Sequence, residues 1–281
     1  MRPVFAFVIA LFVSTSFLAQ ENSPAYQPLD LAIFDSLKGS LEEGEWEETG
    51  VGIIAAGKAM LGTPYVAQTL EVGDREPLVV NFRGMDCTTF VENALVLGHL
   101  SKEKSLNWKR YLRTLEEVRY REGKREGYAS RLHYFTEWIR DNSAKGYVKD
   151  ITEELSGVTL YKEINFMGTH RKSYPFLADE AHFDAIVKIE KQISKAPLCI
   201  LPRDDVASQE AKMRDGDIIA LATDIDGLDV THTGLAIRMD TGRIHLLHAS
   251  TSGQVMITSE PLADYLKGVR RNVGIVVARP Q

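Results

Sequence analysis

The 281-residue chain has only two cysteines, Cys87 and Cys199. At most one disulfide can form, and a chain of this length needs no covalent staple to bury a core. The seven histidines and two cysteines include no HxxxH or CxxC pair, so no metal site is expected. There is no long basic run, and the formal net charge is −6. That balance excludes duplex nucleic acid as a partner, because phosphate binding needs a clustered positive surface. No internal repeat or low-complexity tract is present, and no apolar run is long enough for a comfortable membrane span.

The N-terminus carries information. In "MRPVFAFVIALFVSTSFLAQ", Arg2 precedes an apolar run from Val4 to Val13, and small and polar residues follow to Ala19. This is the layout of a secretory signal, expected over residues 1–20 with cleavage near Ala19–Gln20. The other reading is an N-terminal anchor helix. Export would place the protein in the periplasm or outside the cell, without stable membrane insertion after cleavage. Disulfides are permitted there.

Residues 21–30, "ENSPAYQPLD", read as a linker, within an N-terminal linker and helix that ends near residue 48. The main domain is expected over 49–281. Residues 49–61 read as a helix, with Thr49 as a plausible N-cap and Gly62 and Pro64 as its stop. A second helix opens at Cys87 behind Asp86, a good N-cap residue. Phe90, Val91, Ala94, Leu95 and Leu97 give it an apolar face. Further helical patterns cover 106–119, 129–141 and 178–193, forming a mostly helical insertion at about 100–200. From about residue 197 short β-rich runs follow: "LCILP", "DGDIIALAT", "HTGLAIRM", "RIHLLHAS", "VMITS" and "VGIVVARP". Helices first and strands later point to an α+β fold.

Two of these runs specify a hairpin. "HTGLAIRM-DTG-RIHLLHAS" closes on Asp240, Thr241 and Gly242, with glycine in the left-handed third position. In that register Met239 faces Arg243, and His232 faces Ser250. His232 and His248 then become diagonal neighbours on one face. His245 lies on the opposite face, and competes with His248 only if the register slips.

Cys87 has three readings: a nucleophile, half of a disulfide, or a small core residue. Cys199, in "PLCIL", reads as core. A helix N-terminus and a neighbouring imidazole can lower a thiol pKa, and the free N–H groups there can hold an oxyanion. A base such as His232 needs a third polar group to orient it, and His248 is placed to do so. Tyr65 and Asp86 have bland readings as a core aromatic and a helix cap. His133, Tyr134 and Trp138, in "SRLHYFTEWIRD", read equally as sugar-cleft lining and as ordinary helix core and surface.

"DCTTFVENA", "HTGLAI" and "LLHAS", in that order, resemble the NlpC superfamily of bacterial cell-wall cysteine hydrolases. "GTPYV" at 62–66 resembles that family's tyrosine segment, and "DGDIIAL" at 215–221 its first core strand. "NFRGMDCTTFVENA", "SRLHYFTEW" and "NFMGTH" resemble one branch more closely: exported N-acetylmuramoyl-L-alanine amidase-like proteins, long filed as a domain of unknown function. The likeness spans roughly residues 50 to 279.

The resemblance implies a papain-like core in which a cysteine-bearing helix packs on an antiparallel sheet. It makes Cys87 the nucleophile, His232 the base and His248 its orienter. Tyr65, Asp86, Thr88, His133 and Tyr134 become the candidates for substrate contact. The implied substrates are muropeptides, in the anhydro form, cut between muramic acid and L-alanine during cell-wall turnover. No cofactor is implied. One departure is that Thr88 and Thr89 replace the Ser-Gly that follows the cysteine in common members, which counts against gripping a free peptide amine. The alternatives are a γ-D-glutamyl-diamino acid endopeptidase and a non-catalytic peptidoglycan-binding module.

Overall fold

The last strand of the chain lies in the middle of the sheet. The computed structural model describes residues 23–73 and 75–281, so the expected signal at 1–20 lies outside the described residues. The strands are β1 (Val148–Asp150), β2 (Val158–Leu160), β3 (Leu198–Pro202), β4 (Ile218–Thr223), β5 (Val230–Arg238), β6 (Ile244–Ala249), β7 (Val255–Ile257) and β8 (Asn272–Pro280). Their order is β2-β3-β8-β4-β5-β6-β7, with β1 also on β8, and every pair is antiparallel. The longer helices are α1 (Pro28–Glu42), α2 (Thr49–Ala59), α3 (Cys87–Lys102), α4 (Trp108–Arg119), α5 (Phe135–Ala144), α6 (Glu180–Ile193) and α7 (Leu262–Gly268). The fold is α+β.

Alternation along the strands divides the core between two faces. Leu235, Leu247, Ile218, Val276 and Ala278 face the layer built by α1 to α6. Ile219, Leu221, Ala236, Leu246, Ile275 and Val277 face a smaller cluster closed by Leu262, Ala263 and Leu266 of α7. All six residues of β4 are buried, as expected of a strand covered on both sides.

The sequence anticipates an apolar face on α3, but the helix is buried without a break from Thr89 to Gly98. A helix enclosed all round must satisfy its polar groups internally. Glu92 does so through Arg119 at 2.7 Å, with both side chains 2% exposed. Asn93 accepts from the Tyr111 hydroxyl at 2.5 Å. These two contacts fasten α4 to α3. On the other side α2 crosses closely, because a Cβ on Gly98 would lie 2.5 Å from the Ile53 nitrogen.

Several local expectations need correction. The segment read as a linker is docked: Ala25 bridges Val79, and Pro28 opens α1 at the position where a missing N–H costs nothing. Glu48, not Thr49, is the N-cap of α2, and the Thr49 hydroxyl donates to the carbonyl of Gln281. The helix expected over 129–141 is a single turn, Tyr128–Ser130, followed by α5. The insertion at 100–200 carries α4, α5 and α6 but also adds β1 and β2 to the sheet. Cys199 is half-buried against Gly157, not in the core, and both cysteines are free.

Candidate active site

Cys87 is the first residue of α3, and a capping box fixes its position. Asp86 Oδ1 accepts from the Thr89 backbone N–H and from the Thr89 hydroxyl, both at 2.8 Å. The Asp86 N–H donates back to the Thr89 hydroxyl at 3.0 Å. The capping box thus gives Asp86 and Thr89 local work at the helix start.

Two further segments hold the loop that leads to Cys87. Buried Asp30 of α1 accepts from the Phe82 N–H at 2.9 Å, the Arg83 Nε at 3.1 Å and the Gln27 N–H at 2.8 Å. The "GTPYV" segment lies on the other side. Met85 donates to Pro64, Val66 donates to Met85, and Tyr65 donates to the Gly253 carbonyl at 2.7 Å. The cysteine loop is therefore stitched to the β6–β7 connection.

β5 brings the histidine. The hairpin has the register expected from its turn: Leu235 faces Leu247, Arg238 faces Ile244, and the Met239 N–H donates to the Arg243 carbonyl at 3.0 Å. Gly242 takes a φ of 78°, the left-handed region that suits glycine. A bulge interrupts β5 against β4 between the Leu221–His232 and Ala222–Val230 pairs, directly beside His232. Bulges re-aim a side chain at the end of a ladder. His232 Nε2 lies 2.6 Å from His248 Nδ1, with the rings edge to face at 4.8 Å. His245 is on the other face, with its Nδ1 2.8 Å from the Thr258 carbonyl oxygen.

The thiol reaches this strand. Cys87 is hydrogen-bonded by the backbone of Thr233, next to His232, and by Thr88. Burial, with Asp86 adding to it, pushes the Cys87 thiol up to about 12 against those hydrogen bonds. The lowered thiol pKa expected of a helix start is absent from the resting site. Burial, then the charge of His248, pulls His232 down to about 3, and burial pulls His248 down to about 4. Each group alone is therefore neutral at pH 7. Moving a proton from sulfur to imidazole creates both charges together, so neither is left isolated in a dry site. The Cys87 N–H has no hydrogen-bond partner among the described residues.

The remaining candidates divide. Tyr65 faces the thiol: burial, then the charges of Cys87 and Asp86, raise its hydroxyl. Thr88 contacts the sulfur through its hydroxyl and backbone. Tyr134 is 2% exposed, and its hydroxyl is spent on Glu190 at 2.7 Å and the Met167 N–H at 2.9 Å, so it presents nothing to a ligand. His133 Nε2 lies 2.9 Å from the Tyr128 carbonyl oxygen, and burial followed by Arg131 holds its pKa well below the usual range. Trp138 is fully buried. The helical patterning at 129–141 could not distinguish lining from core, and the structure puts Tyr134 and Trp138 in the core.

Tyr265 was missed. It stands on α7, its ring 5.6 Å from that of His248, and burial and the charge of Cys87 raise its hydroxyl. The only signal was the short "PLADYLKG" segment, whose seven helical residues are too few to show a clear period. Among the described residues no group of three or more His, Cys, Asp or Glu could hold a metal ion.

Several solved structures resemble this chain. An N-acetylmuramoyl-L-alanine amidase from Bacteroides uniformis is 36% identical, covers 83% of this chain and 99% of its own, and has a TM-score of 0.79. A Bacteroides fragilis protein whose name proposes a xylanase is 38% identical over 79% of this chain and 98% of its own, with a TM-score of 0.75. A Legionella pneumophila protein, 19% identical over 90% of this chain and 94% of its own, shares the fold with a TM-score of 0.66. No curated protein matches. Residues 55–275 match the AmiA-like family, described as N-acetylmuramoyl-L-alanine amidase-like, and the chain belongs to that family.

Proposed function

We propose that the protein is an exported cysteine amidase with a papain-like site that cleaves the bond between muramic acid and L-alanine in peptidoglycan fragments. The observation that carries this reading is the run of contacts from Cys87 through the Thr233 backbone to His232 and on to His248, in a chain of the amidase-like family. His232 Nε2 is engaged by His248, which leaves Nδ1 to serve the thiol.

In the first half-reaction the Cys87 proton passes to His232 and the sulfur attacks the lactyl carbonyl carbon. The Cys87 N–H, unpartnered at the helix start, donates to the oxygen that becomes negative. The intermediate collapses, the C–N bond breaks, and His232 returns the proton to the alanine amine. In the second half, water gives a proton to His232 and attacks the thioester, releasing the sugar acid and restoring the thiol. The pH 7 neutrality of both groups fits this cycle, since charge appears only when a substrate is there to receive it.

Two observations favour this bond over others. Asp86 Oδ1 is held by Thr89, so the carboxylate nearest the nucleophile has limited capacity for the ammonium of a free stem peptide, which would be costly to leave unpaired. Glycoside cleavage, suggested by the name of the Bacteroides fragilis relative, needs two carboxylates flanking the sugar. Here a thiol and two imidazoles occupy the centre. The test is a side-by-side assay of anhydro-muramyl tetrapeptide and the matching free tetrapeptide, read by mass spectrometry. Release of the intact tetrapeptide from the sugar-bearing substrate is expected. Cleavage of L-alanyl-D-glutamate from the free peptide, with the sugar-linked substrate untouched, would replace the amidase with the endopeptidase. Binding without turnover of either would leave a peptidoglycan-binding module.

A further inference from the structure

Among the described residues the His248 ring has one polar tie, the 2.6 Å contact of its Nδ1 with His232. An imidazole held at one atom can still tilt and swing about that atom, so its plane must be fixed by packing. His248 is 2% exposed, and two ring contacts bound it: His232 at 4.8 Å and 81°, and Tyr265 at 5.6 Å and 76°. Tyr265 comes from α7, which is anchored by Leu262, Ala263 and Leu266 in the core cluster on that face of the sheet. The ring is therefore presented by a rigid support. Edge-to-face contact at this spacing is attractive and directional. No hydrogen bond is recorded for the Tyr265 hydroxyl among the described residues, so its role there does not depend on one.

We propose that Tyr265 is a positioning residue for the histidine pair: its ring fixes the plane of His248 and keeps water from the His232–His248 contact, and so holds His232 in line with Cys87. The proposal rests on the cysteine-hydrolase reading for its effect on turnover but not for its effect on the imidazoles. Tyr265 from α7 faces the pair, and Cys87 of α3 stands beyond the Thr233 backbone with Asp86, Tyr65 and Tyr265 grouped around its thiol. None of these is a cation. Burial is the leading cause of the low pKa values of both imidazoles. Opening the Tyr265 side to water therefore lets both rise toward the ordinary histidine value.

Two variants of the full mature chain test this: Tyr265→Ala and Tyr265→Phe. The imidazoles are titrated by NMR in the absence of substrate, and kcat and KM are measured on anhydro-muramyl tetrapeptide. In Tyr265→Ala the histidine titration should move up by at least about one pH unit, the acid limb of kcat/KM should move with it, and kcat should fall about tenfold or more with KM changed less than about threefold. Tyr265→Phe keeps the ring and should titrate as the wild type does. A wild-type titration in a folded Tyr265→Ala, or a Phe variant whose titration is shifted, overturns the proposal. If Tyr265→Ala does not fold, Tyr265→Leu, which removes the ring but keeps an apolar side chain on α7, takes its place with the same expected shift and the same overturning result. If no muropeptide is cleaved by the wild type, the NMR titration still tests the positioning role separately from the substrate.

Discussion

The two ends of α3 make different uses of charge. At its C-terminal end lies a cavity of about 490 Å³, lined by residues that include Lys102, Lys149, Glu154, Asp217 and Arg279. Several of these charged groups have partners. Arg279 forks onto Asp217 at 2.8 and 2.7 Å, Lys149 meets Glu154 at 2.6 Å, and Lys102 donates to Thr49 at 2.9 Å. At the N-terminal end Cys87, His232 and His248 crowd together with no counter-ion pair, and burial keeps all three neutral. The C-terminal end holds fixed charges in ion pairs. The N-terminal end holds a thiol and two imidazoles whose proton affinities are shifted by burial, the kind of group that the proposed reaction needs.

The sharpest way to break this contrast is at the sulfur. Cys87→Ala should remove activity by on the order of 10³-fold or more while the fold persists. Cys199→Ala, half-buried at a distant strand pair, should stay within about twofold of wild type. Equal losses from both, measured on the same muropeptide, would mean that the two cysteines share a task.

The histidine pair comes next. His232→Ala should lose on the order of 10³-fold, and His248→Ala less, about 10²-fold, since it orients the base without meeting the substrate. In His232→Ala the thiol also loses its proton acceptor. Alkylation of Cys87 by iodoacetamide at pH 7 should fall about tenfold and recover only as pH climbs toward 12. Unchanged alkylation would show that the thiol is activated by another group.

A smaller effect should appear in stability. Both imidazoles are held neutral, with pKa values of about 3 and about 4. Between an unfolded value of about 6.5 and those folded values, the unfolded chain binds more protons. Stability should therefore fall as pH drops below about 6.5 and go on falling to about 4 for His248 and about 3 for His232, with each unit of depression worth about 1.4 kcal/mol per group. Replacing both histidines by leucine should flatten this decline in urea midpoint. Parallel declines in variant and wild type would place the acid sensitivity elsewhere.

The smallest effect on turnover is expected at the other end of α3. Asp217→Asn weakens the Arg279 fork and should cost about 2 kcal/mol of stability, with kcat unchanged within about twofold. A large loss of kcat with little change in urea midpoint would make that cavity part of the active site after all.

Much of the site was legible because short-range rules set it. The Asp-Thr-Gly turn fixes the hairpin register, and that register places His232 beside His248. Asp86 caps α3 because its side chain reaches the third N–H of the helix. Other parts were hidden for physical reasons. β1 and β2 have three residues each, too few to show alternation, and they become strands only because the sheet receives them. Tyr134 and Trp138 carry polar tips that suggest a ligand surface, yet α6 and its Glu190 cover the tyrosine. Tyr265 reaches the centre from a helix whose docking is purely tertiary. The cysteine pattern alone showed where the thiol begins its helix, but not that burial would keep it protonated.

The place of β8 bears on how the molecule is made. Residues 272–280 pair with β1, β3 and β4, and the Gln281 N–H bonds to the Tyr147 carbonyl. Without residues 272–280, three strands lack a shared neighbour and the sheet cannot close. Contacts so distant in sequence form slowly, since the loop must be ordered before the pairing rewards it. Pairing of β8 with β1, β3 and β4 is therefore a late event in folding, and it joins the two halves of the sheet.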